Sequence, residues 1–369
     1  MSSREVDKAE REARWAKMDM ESRDKALGAL VGAAIGDALG APLEFLPPRG
    51  EQDYVKDMVG GGALRWKKGE YTDDTKMSLA VSEMYLKYNK YCQRDLVERW
   101  LKWGASGPKD IGNWTNGALR NWTRVVNAID YDSELRDDQH PVIQMWQRRG
   151  EKDAGNGGVM RCMPTALFVN DRDRRIKDTV KICQDTHPDP RCILSCVAVV
   201  EAIHMMIHTS WRYSDVTHKE SIRAQVVPGY QPESRFMAYV MSVVGPGDVY
   251  NALEEAQYCP IDQCMNSGYT VDTVKCAFAA LNQAEDFESG LIAIVNRGND
   301  ADTVGSIAGA LMGAHFGLKA IPQRWKDQLM DYDKIVQIAD ELHTRGSLNE
   351  QAERERRNEE WNKKKGIAE

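Results

Sequence analysis

The sequence is short of positive charge: 369 residues carry 49 Lys and Arg against 56 Asp and Glu, a net charge of −7 with a pI near 5.7. Neutralising phosphate takes a basic excess or a basic face, so direct nucleic-acid binding is not expected. No basic segment followed by an apolar run opens the chain, so no secretory leader is read. The eight cysteines (92, 162, 183, 192, 196, 259, 264 and 276) lack any two-by-two zinc spacing. Cys192 and Cys196 share a helical face and Cys259 and Cys264 are loosely spaced, and all eight are read as reduced, buried thiols of a cytoplasmic protein. Also missing are GxxxxGK[ST] and GxGxxG, which removes P-loop and Rossmann nucleotide sites. Neither low-complexity tracts nor repeats of 20 to 50 residues are found.

What remains is ordinary globular composition, 42% hydrophobic and 28% charged, enough to bury one large core or two smaller ones. The charge is uneven. Residues 1–25 carry seven basic and seven acidic side chains and residues 349–369 six of each, so the net −7 falls between them. Both ends are read as exposed charged tails around a domain spanning 26–348. Within that domain, apolar positions recur at three- and four-residue spacing over 76–88, 174–184, 191–208, 270–282 and 287–296. No run alternates as a strand does, so the expectation is an all-α, single compact domain broken by turns at 46–50, 104–117 and 228–246. Trp100, Trp103, Trp114 and Trp122 are read as one helical core and given no role.

Glycine recurs every fourth residue at 28, 32, 36 and 40, and again at 305, 309, 313 and 317. Such spacing cuts a groove that lets another helix backbone approach closely, as in membrane helix pairs. The first stretch is about 18 residues, near the lower limit for spanning a bilayer. It is nevertheless Gly/Ala-rich, contains Asp37 and lacks the Leu, Ile and Phe that favour insertion, and mean hydropathy is −0.55. Two buried helices at the centre of the domain, packed against each other, is the preferred reading.

An acidic cluster precedes each of two helices: Thr72-Asp73-Asp74-Thr75, and Asp300-Ala301-Asp302-Thr303. A single cluster is explained by helix capping, since Thr and Asp are favoured caps and acids complement the dipole. Two clusters of two carboxylates each exceed what caps need. Brought together, four carboxylates repel unless cations neutralise them, and an all-oxygen ligand set selects Mg²⁺ or Mn²⁺ over zinc. The second cluster is no EF-hand loop, because positions 5 and 12 would be Val304 and Leu311. A third motif, Gly155-Asn156-Gly157-Gly158-Val159-Met160-Arg161, could present backbone N–H groups to phosphate or sugar oxygens.

In order, GALVGAAIGDALGAPLE, YTDDT, GNGGVMR, Thr186-His187, SGYTVDTV and NDADTVGSIAGALMGAHFG resemble the ADP-ribosylglycohydrolase family over roughly residues 25–317. The resemblance implies that family's orthogonal helical domain. It also implies two Mg²⁺ or Mn²⁺ ions on Thr72, Asp73, Asp74, Asp300, Asp302 and Thr303. Glu44 would be the catalytic or gating glutamate, with Asp73 and Asp302 also catalytic. Gly155, Asn156, Gly157 and Gly158 would bind ADP-ribose, with His187 and Tyr269 nearby. The second cluster departs from the family's usual Gly-Gly-Asp-Thr-Asp-Thr while keeping its ligand positions.

The implied activity is metal-dependent hydrolysis of the bond joining ADP-ribose to a modified acceptor, foremost arginine on protein. Serine-linked, polymeric or nucleotide-linked conjugates are alternatives, as is a silent ADP-ribose-binding relative. A nucleotide phosphohydrolase shares the oxygen-ligand logic. The partner is the ADP-ribose moiety of a protein or small molecule, with no membrane and a monomeric enzyme. Residues 209–262 match no motif of the family and are the candidate for acceptor recognition.

Overall fold

The computed structural model describes residues 3–128, 134–208 and 247–365. The helices are α1 (Ser3–Gly40), α2 (Asp73–Tyr88), α3 (Gln93–Ala105), α4 (Asn113–Ala128), α5 (Pro141–Arg148), α6 (Pro164–Phe168), α7 (Arg172–Gln184) and α8 (Pro190–His208). They continue with α9 (Asp248–Glu255), α10 (Thr270–Gln283), α11 (Phe287–Val295), α12 (Ala301–Phe316), α13 (Gln323–Lys326) and α14 (Tyr332–Lys365). No strand occurs among the described residues; two isolated bridges, Gly61 with Trp66 and Gly155 with Tyr269, are the only extended pairings there. The chain is all-α, as its periodicity requires. Trp211, Tyr230, Phe236 and Tyr239, which made residues 209–262 a candidate for acceptor recognition, lie outside the described residues.

The fold is organised around α1 and α12, which run antiparallel with their glycine faces in contact. Gly28 meets Gly313, Gly32 meets Gly309, Gly36 meets Gly305 and Gly40 meets Ala301. A Cβ on Gly305 would stand 2.5 Å from the Gly36 carbonyl oxygen, and one on Gly309 would stand 2.8 Å from the Gly32 carbonyl carbon. Backbone therefore packs on backbone, at a distance that any side chain would prevent. The pairing register fixes which residues meet at its open end. Gly40 lies opposite Ala301, so Glu44, just past the end of α1, is carried to Asp300 and Asp302 at the start of α12.

Around this pair the remaining helices supply one continuous core that includes Trp100, Trp146 and Trp325, with a small satellite at Trp122. Two helical segments, Asp19–Leu43 and Pro190–His208, are apolar and long enough to cross a bilayer, and their apolar windows are 100% and 89% buried inside the fold. The segment preceding residue 26 continues α1, and Arg23 there makes a two-pronged ion pair with Asp340 of α14 at 2.5 and 2.7 Å.

Candidate functional site

Two loops build the acidic centre by pairing with each other. Phe45 N–H donates to Asn299 O and Asn299 N–H donates to Leu46 O, both at 2.7 Å. Positive φ at Phe45, Gly298 and Asn299 (63°, 64° and 52°) turns both strands of the chain sharply at this point. Glycine is required at 298, where a Cβ would press on the backbone of Leu46 and Pro47. The result gathers Glu44, Asp300 and Asp302, with one oxygen of each within 4.8 Å of the others.

The first cluster is positioned by Asp37, inside α1. Its carboxylate accepts from Thr72 N–H (2.8 Å), Thr75 N–H (3.0 Å) and Thr75 Oγ1–H (2.6 Å), and so caps the start of α2 from a different helix. Thr72 is the local N-cap, its Oγ1 accepting weakly from Asp74 N–H at 3.4 Å. With that work done by Asp37 and Thr72, Asp73 and Asp74 are not needed as caps. Thr72 and Thr303 both direct their hydroxyls to Asp74 Oδ2, each at 3.3 Å, which links the two clusters. Asp300 stands at the N-cap position of α12 but makes no cap bond; it accepts instead from Asn156 Nδ2 at 2.6 Å. The capping explanation therefore fails for the very residue whose position favours it most.

Asp37→Asn tests this arrangement. An amide would face three converging donors with only one acceptor oxygen, leaving an unsatisfied buried pair at a cost of about 2 kcal/mol. The expected result is a lowered unfolding midpoint together with weakened Mn²⁺ binding in calorimetry; unchanged values for both would show that the first cluster holds itself.

Electrostatically the centre is unfavourable as it stands. Burial is the first cause, and neighbouring carboxylates the next, of raised pKa values at Asp74 and Asp302. Burial followed by Asp110 and Asp300 pushes Glu44 up to about 9. Asp37 is pushed up to about 6, mainly by burial. Glu44 Oε2, Asp74 Oδ1 and Asp302 Oδ1 are buried with no hydrogen-bond partner. Buried acceptors are normally satisfied, and unsatisfied ones ask for a ligand. Carboxylate and hydroxyl oxygens without nitrogen or sulfur suit hard divalent cations, so the residues present fit such ions.

A cavity of about 780 Å³ opens onto this centre, a size that suits a nucleotide-like ligand. Its wall includes Glu44, Asp73, Asp300, Asp302, Thr303, Gly155, Asn156, Gly157 and His187. Thr72, Asp74 and Gly158 lie behind the wall, buried. Tyr269 was expected beside the ligand. Its backbone pairs with Gly155, while its phenol lies against Arg191, with 3.5 Å between Oη and Nη1; Ser267 and Gly268 supply the wall there instead.

The glycine loop is held from behind. Arg161, fully buried and stacked 4.3 Å over Trp100, donates to Gly157 O and to Thr186 Oγ1. Thr186 Oγ1 also lies 2.7 Å from His187 Nδ1. Arg161 can only donate, so Thr186 accepts from it and has its own hydrogen to give to Nδ1, an arrangement compatible with the His187 proton on Nε2. Burial, then the Arg161 charge, holds His187 well below its usual pKa, so the ring in the cavity wall is neutral. A Cβ on Gly157 would stand 2.7 Å from the His187 ring, which is why the loop needs glycine there.

Two wall residues escaped the motif reading. Asp110 faces Asp73 within hydrogen-bond reach and has a raised pKa from burial. Trp114, assigned to the helical core, is half-buried in the wall with its indole N–H donating to Thr186 O at 2.5 Å. Trp100 and Trp122 are core residues as expected.

An all-α scaffold that brings an all-oxygen acidic cluster and a glycine turn to one nucleotide-sized cavity has the makings of a glycosidic-bond hydrolase. Comparison with known proteins names the class: the ADP-ribosylglycohydrolase family model matches residues 18–352, and the chain belongs to this family of hydrolases. It is 31% identical over 332 residues to the ADP-ribosylarginine hydrolase Tri1 of Serratia proteamaculans, covering 88% of this chain and 80% of that protein. It is also 31% identical over 311 residues to the ADP-ribosyl-[dinitrogen reductase] glycohydrolase of Rhodospirillum rubrum, covering 83% and 90% of the two chains. A solved structure titled ADP-ribosylglycohydrolase-related protein complex superposes with a TM-score of 0.69 at 27% identity, covering 89% of this chain and 99% of its own.

Proposed function

We propose that the protein hydrolyses the N-glycosidic bond between ADP-ribose and the arginine of a modified protein. The observation that carries this reading is the set of buried, unpartnered oxygens on Glu44 and Asp302, in the wall of a nucleotide-sized cavity, and on Asp74 just behind it. Thr72, Asp73, Asp74, Asp300, Asp302 and Thr303 would hold two Mg²⁺ or Mn²⁺ ions. Such ions, when bound, orient ribose hydroxyls and lower the pKa of water. Asp73, Asp74, Asp110, Asp300 and Asp302 bring five carboxylates, beside a protonated Glu44, against four positive charges, so the cavity stays negative and favours a cationic guanidinium acceptor. The similarity to a Tri1 arginine hydrolase supports the same acceptor.

In this reading the glycine loop and His187 Nε2–H hold the diphosphate and ribose. Burial, the first cause of its raised pKa, favours the protonated form of Glu44, which suits it to act as the acid. It gives that proton to the departing nitrogen as the bond to C1 breaks. Asp73 and Asp302 face the oxocarbenium character that develops on the ribose. Glu44, now ionised, takes a proton from the attacking water.

The acting unit in this proposal is a monomeric, cytoplasmic domain of residues 26–348 flanked by two charged segments. An overall charge of −7 supports a reading without nucleic acid, and the burial of both long apolar helices supports one without a membrane. The decisive experiment measures ADP-ribose released from arginine-linked, serine-linked and polymeric substrates, with Mg²⁺ and then with chelator. The expected result is chelator-sensitive release from the arginine conjugate. Binding of ADP-ribose without release from any substrate would overturn the reading in favour of a silent relative.

A further inference from the structure

Three thiols meet beside the cavity, away from the acidic centre. Cys259 follows α9, Cys264 follows a short 3-10 turn, Ile261–Gln263, and Cys276 lies in α10. Cys259 Sγ and Cys264 Sγ are 3.7 Å apart, and both face the carbonyl of Pro260 at 3.6 Å. Cys276 lies within hydrogen-bond reach of Cys264. Cys264 and Cys276 are buried, whereas Cys259 is partly exposed, so the group has one opening to solvent. The chain leaving Cys264 goes directly into the cavity wall. Asn266 Nδ2 donates to Gly298 O at 3.2 Å, Gly268 O accepts from Asn156 N–H at 3.0 Å, and Thr270 N–H donates to Ala154 O at 3.0 Å. Residues 266–270 thus fasten the glycine loop to the turn that carries Asp300.

We propose that Cys259 and Cys264 are a hydroperoxide-sensitive thiol pair whose oxidation to a disulfide displaces the 266–270 wall and slows the enzyme. Closing the sulfurs from 3.7 Å to the ~2.05 Å of a disulfide shortens their separation by about 1.7 Å. Cys264 is the attacking sulfur: hydrogen bonds from Cys276 and Cys259, and then the charges of Lys275 and Arg297, lower its pKa to about 7 against the cost of burial. In the first step its thiolate attacks one oxygen of hydrogen peroxide, the O–O bond breaks, and the products are Cys264 sulfenic acid and hydroxide, which takes up a proton to give water. In the second step the Cys259 thiol attacks Cys264 Sγ, loses its proton and expels water as the S–S bond forms. Two electrons leave the pair and reduce one peroxide to two waters. A thiol reductant reverses the change.

The effect on turnover rests on the hydrolase reading, while the bond and the wall movement do not. The test therefore has separate readouts on the full chain. After treatment with hydrogen peroxide, peptides from a non-reducing digest are mapped by mass, hydrogen exchange is followed over 264–270, and ADP-ribose release is measured before and after dithiothreitol. The expected results are a Cys259–Cys264 disulfide, altered exchange in that segment, and a reversible loss of turnover between about tenfold and a hundredfold, as for a site displaced by about 1 Å. C259S is expected to retain basal activity and resist peroxide, and C276S still to form the bond. Pairing of Cys264 with Cys276, or C259S losing activity to peroxide as fast as the parent chain, overturns the proposal. Altered exchange with a mapped bond in a protein that releases nothing from any substrate supports the thiol pair and fails the functional reading instead.

Discussion

Asp302→Asn is expected to cripple turnover while making the metal-free protein harder to unfold. The side chain is buried, one of its oxygens has no partner, and Asp74, Glu44 and Asp300 all raise its pKa in addition to burial. Removing its charge takes away one ligand of the proposed ions. Such ions contribute several kcal/mol of transition-state stabilisation, so the rate should fall by roughly 10³-fold at 1.36 kcal/mol per decade. The same substitution relieves repulsion in the empty centre, raising the metal-free unfolding temperature by roughly 2 °C or more. A raised carboxyl pKa means that the folded state binds protons more tightly than the unfolded one. Its stabilising contribution is full below the unfolded value near 4 and is lost as pH rises through the folded value. With Glu44 pushed up to about 9, metal-free stability declines between about pH 4 and 9, less steeply in the variant, and divalent ions remove the decline. Retained turnover together with an intact Mn²⁺-induced thermal shift in the variant would falsify the cation-binding account.

Gly309→Ala is expected to be more damaging than its single methyl suggests. The added Cβ would stand 2.8 Å from the Gly32 carbonyl carbon and closer still to its oxygen, and these are backbone atoms that cannot rotate away. Overpacking of a core costs about 1–3 kcal/mol where side chains can yield. Here the helices themselves must separate, so the expectation is about 3 kcal/mol or more by denaturant unfolding, with activity lost in parallel because Glu44 moves off Asp302. Gly50 is the contrasting control, since a Cβ there meets nothing within 4 Å. Equal stabilities for Gly309→Ala and Gly50→Ala would mean that the two central helices do not pack through their glycines.

Much of this was visible in the sequence because periodicity records burial. The four-residue glycine spacing foretold a close helix pair, and the structure adds the antiparallel register that joins Glu44 to the second acidic cluster. The 104–117 region reads as one loop, yet α3 ends at Ala105 and α4 begins at Asn113, so the loop proper is shorter; it delivers Asp110 to the cavity, and the first turn of α4 delivers Trp114. No motif marks either residue, because their proximity to Asp73 and Thr186 is a product of tertiary folding. Arg161 was legible as the last residue of the glycine motif but not as its fastening, which depends on Trp100 and Thr186 lying beneath it. Asp37 enters the sequence reading only as a polar residue that argues against a membrane helix; its bonds to the start of α2 depend on where folding brings Thr72 and Thr75.

The zipper of α1 on α12 has a consequence for the order in which the protein is made. Gly40 and Ala301 are 261 positions apart, and Gly28 and Gly313 are 285 apart. The first helix therefore leaves the ribosome with an apolar face that has no partner until nearly the whole domain has been synthesised. Contacts so distant in sequence form late, and in the meantime that face is a surface for chaperones or for aggregation. Chains released before residue 301 lack both the partner helix and half the acidic centre, so a prematurely terminated product is both sticky and inert.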